Sequence, residues 1–194
     1  MDRSQQDLRR RDERAPTRHI MAGYSLHDLL VTSTVAGFLG VGGASMAGLV
    51  QDARMTAAVN ELMGNLNLAR SESIKRGSRI AICRSQDGIS CSGTGWNEGW
   101  IVFTDANENY KLDDDETLIL VRQEMPGNIS LRYGGEKASY ARLAYYPEGY
   151  ARPNATFIFC DNRGPVKAKS VIINTVGRPY TSDKTWEKKP LTCS

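Results

Sequence analysis

No histidine follows His27, so neither a Ser-His-Asp nor a Cys-His catalytic arrangement can be assembled from the later residues. A glycine-rich phosphate loop of the form G-x-x-x-x-G-K-S/T is also missing. None of the four cysteines stands in a C-x2-C pair, and His19 and His27 both precede the strand-rich region, which argues against zinc. An excess of one charge is lacking too. The 25 Lys and Arg against 22 Asp and Glu leave a net charge of +3, which does not suit a protein whose whole surface binds nucleic acid. The chain therefore reads as neither an enzyme nor a dedicated nucleic-acid binder, and it implies no cofactor. Internal repeats and low-complexity linkers are absent as well.

What is present is one domain's worth of chain, 194 residues, with an appendage. Six of the cations and four of the anions lie before Gly23, leaving 19 against 18 beyond it. From Leu29 to Gln51 there is no charge at all. At about 1.5 Å per residue such a helix is long enough for a hydrocarbon core of about 30 Å. Gly37, Gly40, Gly42, Gly43 and Gly48 interrupt it; glycine weakens a helix in water but suits helices that pack closely in a membrane or a filament. A secretory signal would place its small-residue cut site after the apolar run, whereas Gly23 comes before it. The run continues into a second helical pattern in which Ala58, Leu62, Leu66, Ala69 and, slightly off phase, Ile74 step by three and four. Gly77 ends it. The expectation is one helix of roughly fifty residues, apolar all round in its first half and amphipathic in its second.

The remainder reads as strands over Arg79–Arg84, Trp100–Thr104, Thr117–Gln123, Ile129–Tyr133, Leu143–Tyr146, Ala155–Asp161 and Ser170–Thr175. An antiparallel sheet with one apolar face needs a cover, and the amphipathic half of the helix supplies one. Four cysteines allow three connectivities. Cys83 with Cys91 closes a short hairpin around the Asp87-Gly88 turn, and Cys160 with Cys193 pins the C-terminus, so this pairing is favoured. Disulfides require an oxidising compartment such as a bacterial periplasm; free buried thiols are the other reading.

Two charged segments are candidates for binding. "DANENYKLDDDE" sets Asp105, Asn107, Asn109 and Glu116 at the first, third, fifth and twelfth positions of an EF-hand loop. Tyr110 occupies the place of the required glycine and strands flank the loop, so calcium is the weaker reading and a hairpin loop the stronger. From Arg163 onward, Arg163, Lys167, Lys169, Arg178, Lys184, Lys188 and Lys189 face only Asp183 and Glu187. Such a patch can hold phosphates, and Tyr180 and Trp186 can stack on bases; a solvated basic face is an equally good account.

The chain after Gly23 resembles the type IV pilins and pseudopilins, in particular the FimT/FimU/GspH group of minor pilins. The resemblance rests on "GYSLHDLLV", on "LARSE" and "KRG" within "MTAAVNELMGNLNLARSESIKRGSRIAIC", and on "GWIVFTDANEN", "FIFCDNRG" and "NTVGRPY" in that order. It implies an α+β pilin fold, a long N-terminal helix packed on an antiparallel sheet domain. It divides the chain into a leader at 1–23, a membrane or filament-core helix at 24–51, an amphipathic half at 52–77 and a periplasmic domain at 78–194. Prepilin peptidase would cut between Gly23 and Tyr24, and Tyr24 would be N-methylated. Where the family has a glutamate that neutralises a neighbouring subunit's terminal amine, this chain has Asp28, preceded by His27 in place of an apolar residue. Implied partners are other major and minor pilins or pseudopilins, the peptidase and the inner membrane. Members that act in DNA uptake carry G-R-x-R near the C-terminus; "GRPY" keeps Gly177 and Arg178 but has Tyr180 for the second arginine, so double-stranded DNA is a further partner to test. The alternative machine is type II secretion, with a GspH-like minor pseudopilin. By resemblance, the paired cysteines favour the pilus.

Overall fold

The computed structural model describes residues 25–125, 127–134 and 142–193, and in its long helix the side chains of 28, 29 and 32–45 also lie outside the described set. Helix α1 runs from Leu26 to Arg76, 51 residues. The chain divides into two compact units, Met1–Ala47 and Gly48–Ser194. In the first, the described apolar side chains Leu26 (81% exposed), Leu30, Val31 and Met46 all face solvent. Among the described residues no helix is long and apolar enough to cross a membrane; most side chains of the uncharged run lie outside that set.

In the second unit the helical spacing does its expected work. Met55, Ala58, Val59, Leu62, Leu66 and Ala69 are buried along one stripe of α1. The stripe then continues through Ser73, which is fully buried, rather than through Ile74, which is 54% exposed. Four residues on from Ala69 is Ser73, and its hydroxyl is satisfied by the carbonyls of Arg70 and Tyr146 at 2.8 and 3.1 Å, so a polar residue is accommodated where phase requires one. The helix stops at Gly77, whose φ of +61° is the left-handed turn that glycine adopts without strain. The Ser78 N–H then reaches back to the Ser73 carbonyl at 3.3 Å, closing a Schellman motif, and Lys75 and Arg76 complement the dipole of the last turn.

Among the described residues nine strands follow: β1 Ile80–Arg84, β2 Trp100–Thr104, β3 Leu118–Arg122, β4 Ser130–Gly134, β5 Arg142–Tyr145, β6 Ala151–Arg152, β7 Thr156–Cys160, β8 Lys169–Ile173 and β9 Pro179–Ser182. They form two sheets where one was expected. The order is β3-β2-β1-β5-β6 in a five-stranded sheet and β4-β7-β8-β9 in a four-stranded sheet, with every neighbouring pair antiparallel. The split arises because β4 pairs with β7, while β5 returns to β1.

Each sheet turns one set of alternate residues to the helix. Ile80, Ile82, Trp100, Val102, Leu143 and Tyr145 from one sheet meet Leu131, Tyr133, Phe157, Phe159, Val171 and Ile173 from the other in the main core. Trp96, in a short 3-10 turn, packs edge-on against Phe157 with ring centroids 4.9 Å apart. The outer faces are covered as well, which is why β2 and β7 are buried on both sides. Cys91, Tyr110 and Leu112 lie over Ala81, Cys83, Ile101 and Phe103. On the other sheet Leu191 and Cys193 lie with Ile158, Cys160 and Ala168.

Candidate functional site

Both outer faces are tied down by disulfides. Cys83 is bonded to Cys91 and Cys160 to Cys193, with Cα separations of 5.5 and 5.9 Å. The second bond holds the C-terminal segment over the four-stranded sheet, where Arg132 also donates to the Thr192 carbonyl.

The basic C-terminal set divides into two groups. Arg163 is bound to Asp161 and Asp52, each contact at 2.6 Å, and Lys167 reaches Asp52 at 3.4 Å. Hydrogen bonding to Asp161, then to Asp52, raises the Arg163 pKa further, and the same contacts lower those of Asp161 and Asp52. Two acids thus balance two bases, and Arg163 and Lys167 are committed to a neutral cluster rather than to a free basic face. Sequence counting from Arg163 onward missed this because Asp161 lies just outside the counted window and Asp52 lies 111 residues away on α1. Lys189 pairs with Glu187. The second group, Lys169, Arg178 and Lys184, is exposed, as are Tyr180 and Trp186. Lys169 begins β8, while Arg178 and Lys184 flank β9 on opposite ends.

The glycine of "GRPY" has an architectural role. Gly177 has φ +76°, and a Cβ there would lie 2.1 Å from the Gly149 carbonyl oxygen. The turns at 146–149 and 174–177 therefore touch, and Arg70 of "LARSE" holds both. Its Nε donates to the Gly149 carbonyl at 2.9 Å and its Nη2 to the Val176 carbonyl at 3.2 Å. Composition gives no hint of this clamp, which joins the "LARSE" segment of α1 to the turn of "NTVGRPY".

In the acidic hairpin between β2 and β3, protein donors occupy the candidate cation ligands. Asp105 is fully buried against Arg79 at 2.6 Å and accepts the Tyr110 N–H. The Asn107 and Asn109 side-chain oxygens accept the N–H groups of Asn109 and Lys111, and Glu116 accepts those of Ala106 and Asp113. Tyr110 adopts the left-handed turn at φ +57°, and the buried Arg79 guanidinium lies against Asp105, the first residue of the candidate set. Among the described residues no group of three or more His, Cys, Asp or Glu is placed to hold a metal ion.

Residues 58–177 match the family described as Type II transport protein GspH. The chain belongs to that family. It is a type IV minor pilin or pseudopilin of the FimT/FimU/GspH group, and the subunits of that group are structural. Its fold is similar to that of the type IV minor pilin FimU of Pseudomonas aeruginosa, with a TM-score of 0.54 at 18% identity, covering 75% of this chain and 99% of that one. A second crystal form of FimU gives 0.49 at 20% identity over 72% and 99%. The minor pseudopilin EpsH from the Type 2 Secretion System of Vibrio cholerae gives 0.47 at 11% identity over 66% and 96%. No curated protein matches the chain in sequence. Of the residues the sequence led us to expect at leader cleavage and assembly, Gly23 and Tyr24 lie outside the described residues; Asp28 is in α1, but its side chain is outside the described set.

Proposed function

We propose that the chain is a minor pilin of a type IV pilus, cut by prepilin peptidase between Gly23 and Tyr24 and N-methylated on Tyr24. On this reading 24–51 anchors it as a single helix in a bacterial inner membrane, with the β domain in the periplasm, before the helix enters a filament core. The observation that carries the reading is the exposure of Leu26, Met46, Leu49 and Val50 on a helix without charge from Leu29 to Gln51. A run of exposed large apolar side chains requires a lipid or protein partner. The two disulfides fit an oxidising periplasm and, by the resemblance described above, favour the pilus over a secretion pseudopilus.

Mass spectrometry of the protein from its own membranes tests the proposal: the chain should begin at methylated Tyr24, and an intact leader would refute it. Asp28→Ala should still insert but enter filaments poorly, since it would leave a neighbour's ammonium unpaired, and Asp28→Glu should enter at least as well as wild type. Double-stranded DNA is a second reading, supported by exposed Lys169, Arg178, Lys184, Tyr180 and Trp186. It draws no support from Arg163 and Lys167, which Asp52 and Asp161 neutralise.

A further inference from the structure

We propose that the end of the β domain beside Asp52 rests on an anionic phospholipid surface, which deepens the reading of 24–51 as a membrane anchor and rests on it. Val166 and Trp186 enter the headgroup layer, and Lys169, Lys184 and Lys188 meet lipid phosphates. All of these residues lie in the unit Gly48–Ser194.

Contacts with α1 fix which end of the domain this is. Arg163 and Lys167, between β7 and β8, hold Asp52, whereas the turn after β8 is held by Arg70. At about 1.5 Å per residue, Asp52 and Arg70 stand about 27 Å apart along the helix. The four-stranded sheet therefore has a base at Asp52 and a tip at Arg70. Asp52 is the first charged residue after the uncharged run that ends at Gln51, and Leu49 and Val50, the last apolar residues of that run, are 65% and 48% exposed. The base of the sheet thus sits at the point in the chain where a span of 24–51 passes from hydrocarbon to headgroups.

What the base presents suits a headgroup layer. The short 3-10 turn Pro165–Lys167 carries Val166, 91% exposed, next to the lysine that touches Asp52. The Ser170 hydroxyl, beside Lys169, lies 3.0 and 2.8 Å from the carbonyls of Ser182 and Lys184, so the hairpin in which Lys184 faces Pro190 starts at the same end of the sheet. That hairpin carries Lys188 and Trp186, the latter 66% exposed. Two backbone hydrogen bonds between Thr185 and residues 188 and 189 close it, and behind it Leu191 is buried and Cys193 is bonded to Cys160. Little ordering is therefore needed on binding. Over residues 52–54, 161–169 and 183–189 there are seven cations against four acids. Asp52 and Asp161 are taken by Arg163 and Lys167, and Glu187 by Lys189. Within these segments that leaves Asp183 to offset Arg54, Lys169, Lys184 and Lys188. An indole prefers the headgroup level, and each such cation is drawn to anionic lipid. Duplex DNA would also attract the cations, but a phosphate backbone offers no apolar surface to Val166, Leu49 or Val50.

The test uses the full chain reconstituted into vesicles of phosphatidylcholine alone or of phosphatidylcholine and phosphatidylglycerol in equal parts. Of the three tryptophans, Trp96 and Trp100 are 3% and 0% exposed, so collisional quenchers report on Trp186. In the anionic vesicles Trp186 should be shielded from aqueous acrylamide and quenched by bromines placed near the headgroup end of the lipid chains. In phosphatidylcholine alone, or at high salt, it should be open to acrylamide. Lys184→Gln with Lys188→Gln should lower the ratio of docked to undocked domain by about 25-fold, about fivefold for each lysine, and Val166→Asp should lower the bromine quenching. Both variants should still float with the vesicles. Protein that floats while Trp186 stays equally open to acrylamide in both compositions overturns the inference and leaves the anchor standing. Shielding of Trp186 by added duplex DNA but not by anionic lipid gives the surface to nucleic acid and overturns it too. Protein that does not float at all removes the anchor, and the docking with it.

Discussion

Replacing Arg79 by Met should be among the most damaging single changes in the β domain. Arg79 and Asp105 have side chains only 5% and 0% exposed, and their contact is 2.6 Å. The guanidinium also lies 4.2 Å from the centre of the Tyr110 ring, and the Asp105 N–H donates to the Arg79 carbonyl at 3.0 Å. Arg79→Met keeps most of the volume but leaves a carboxylate in the interior without its cation, a loss of about 3–5 kcal/mol. For a domain of this size that corresponds to a fall in Tm of roughly 6–20 °C. Removing both charges, as Arg79→Met with Asp105→Leu, should recover part of the loss. The remaining cost is about 1–3 kcal/mol, because the Tyr110 N–H then lacks its acceptor. Urea unfolding of the full chain in detergent, followed by tryptophan fluorescence, measures all three proteins. A single variant within about 1 kcal/mol of wild type, or a double variant as unstable as the single, would refute the reasoning.

Removing Cys160 or Cys193 should lower stability by about 2–4 kcal/mol, the range for a bridge closing a loop of this size, and should raise proteolysis after β9; an unchanged unfolding midpoint would contradict this. Asp87 has its pKa held below the ordinary carboxylate value by the Ser90 hydroxyl, then by the N–H groups of Ser90 and Ile89. A depressed carboxylate contributes stability that is present above its unfolded pKa of about 3.9 and is lost as pH falls toward the folded value. Asp87→Asn should therefore flatten the acid limb of stability below about pH 4, and curves that stay parallel to wild type would reject it. If DNA is bound, Arg178→Ala or Lys169→Ala should make the log-log salt slope shallower by about 0.9. Arg163→Ala should leave it unchanged, since Arg163 is paired with Asp52 and Asp161; absence of any duplex shift at low salt removes the DNA reading.

The candidate basic surface was only partly legible in the sequence. Exposed cations such as Lys169 and Arg178 can be found by position along the chain, because strand ends are solvated. Their neutralised counterparts cannot: the difference between Arg178 and Arg163 is a carboxylate on α1 that folding brings across 111 residues. Asp105 is a similar case. Its place at the head of an acidic loop suggested a ligand, and only the approach of Arg79 turned it into half of a buried pair.

The long helix and the strands from β1 to β5, β7 and β8 were readable because their periodicity is local, three or four residues in one case and two in the other. β6 has two residues and β9 opens with proline, so neither carries a pattern long enough to detect. Strand partners are a different matter. Nothing within β4 says that it joins β7 rather than the sheet of β1, since pairing is decided by which edges can be sealed while α1 and both inner faces share one core. The sequence by itself determined where the chain is helical or extended and where it lacks charge. Tertiary structure decided that there are two sheets, that Ser73 rather than Ile74 faces inward, and which charges remain free, because each of these depends on contacts between residues far apart in the chain.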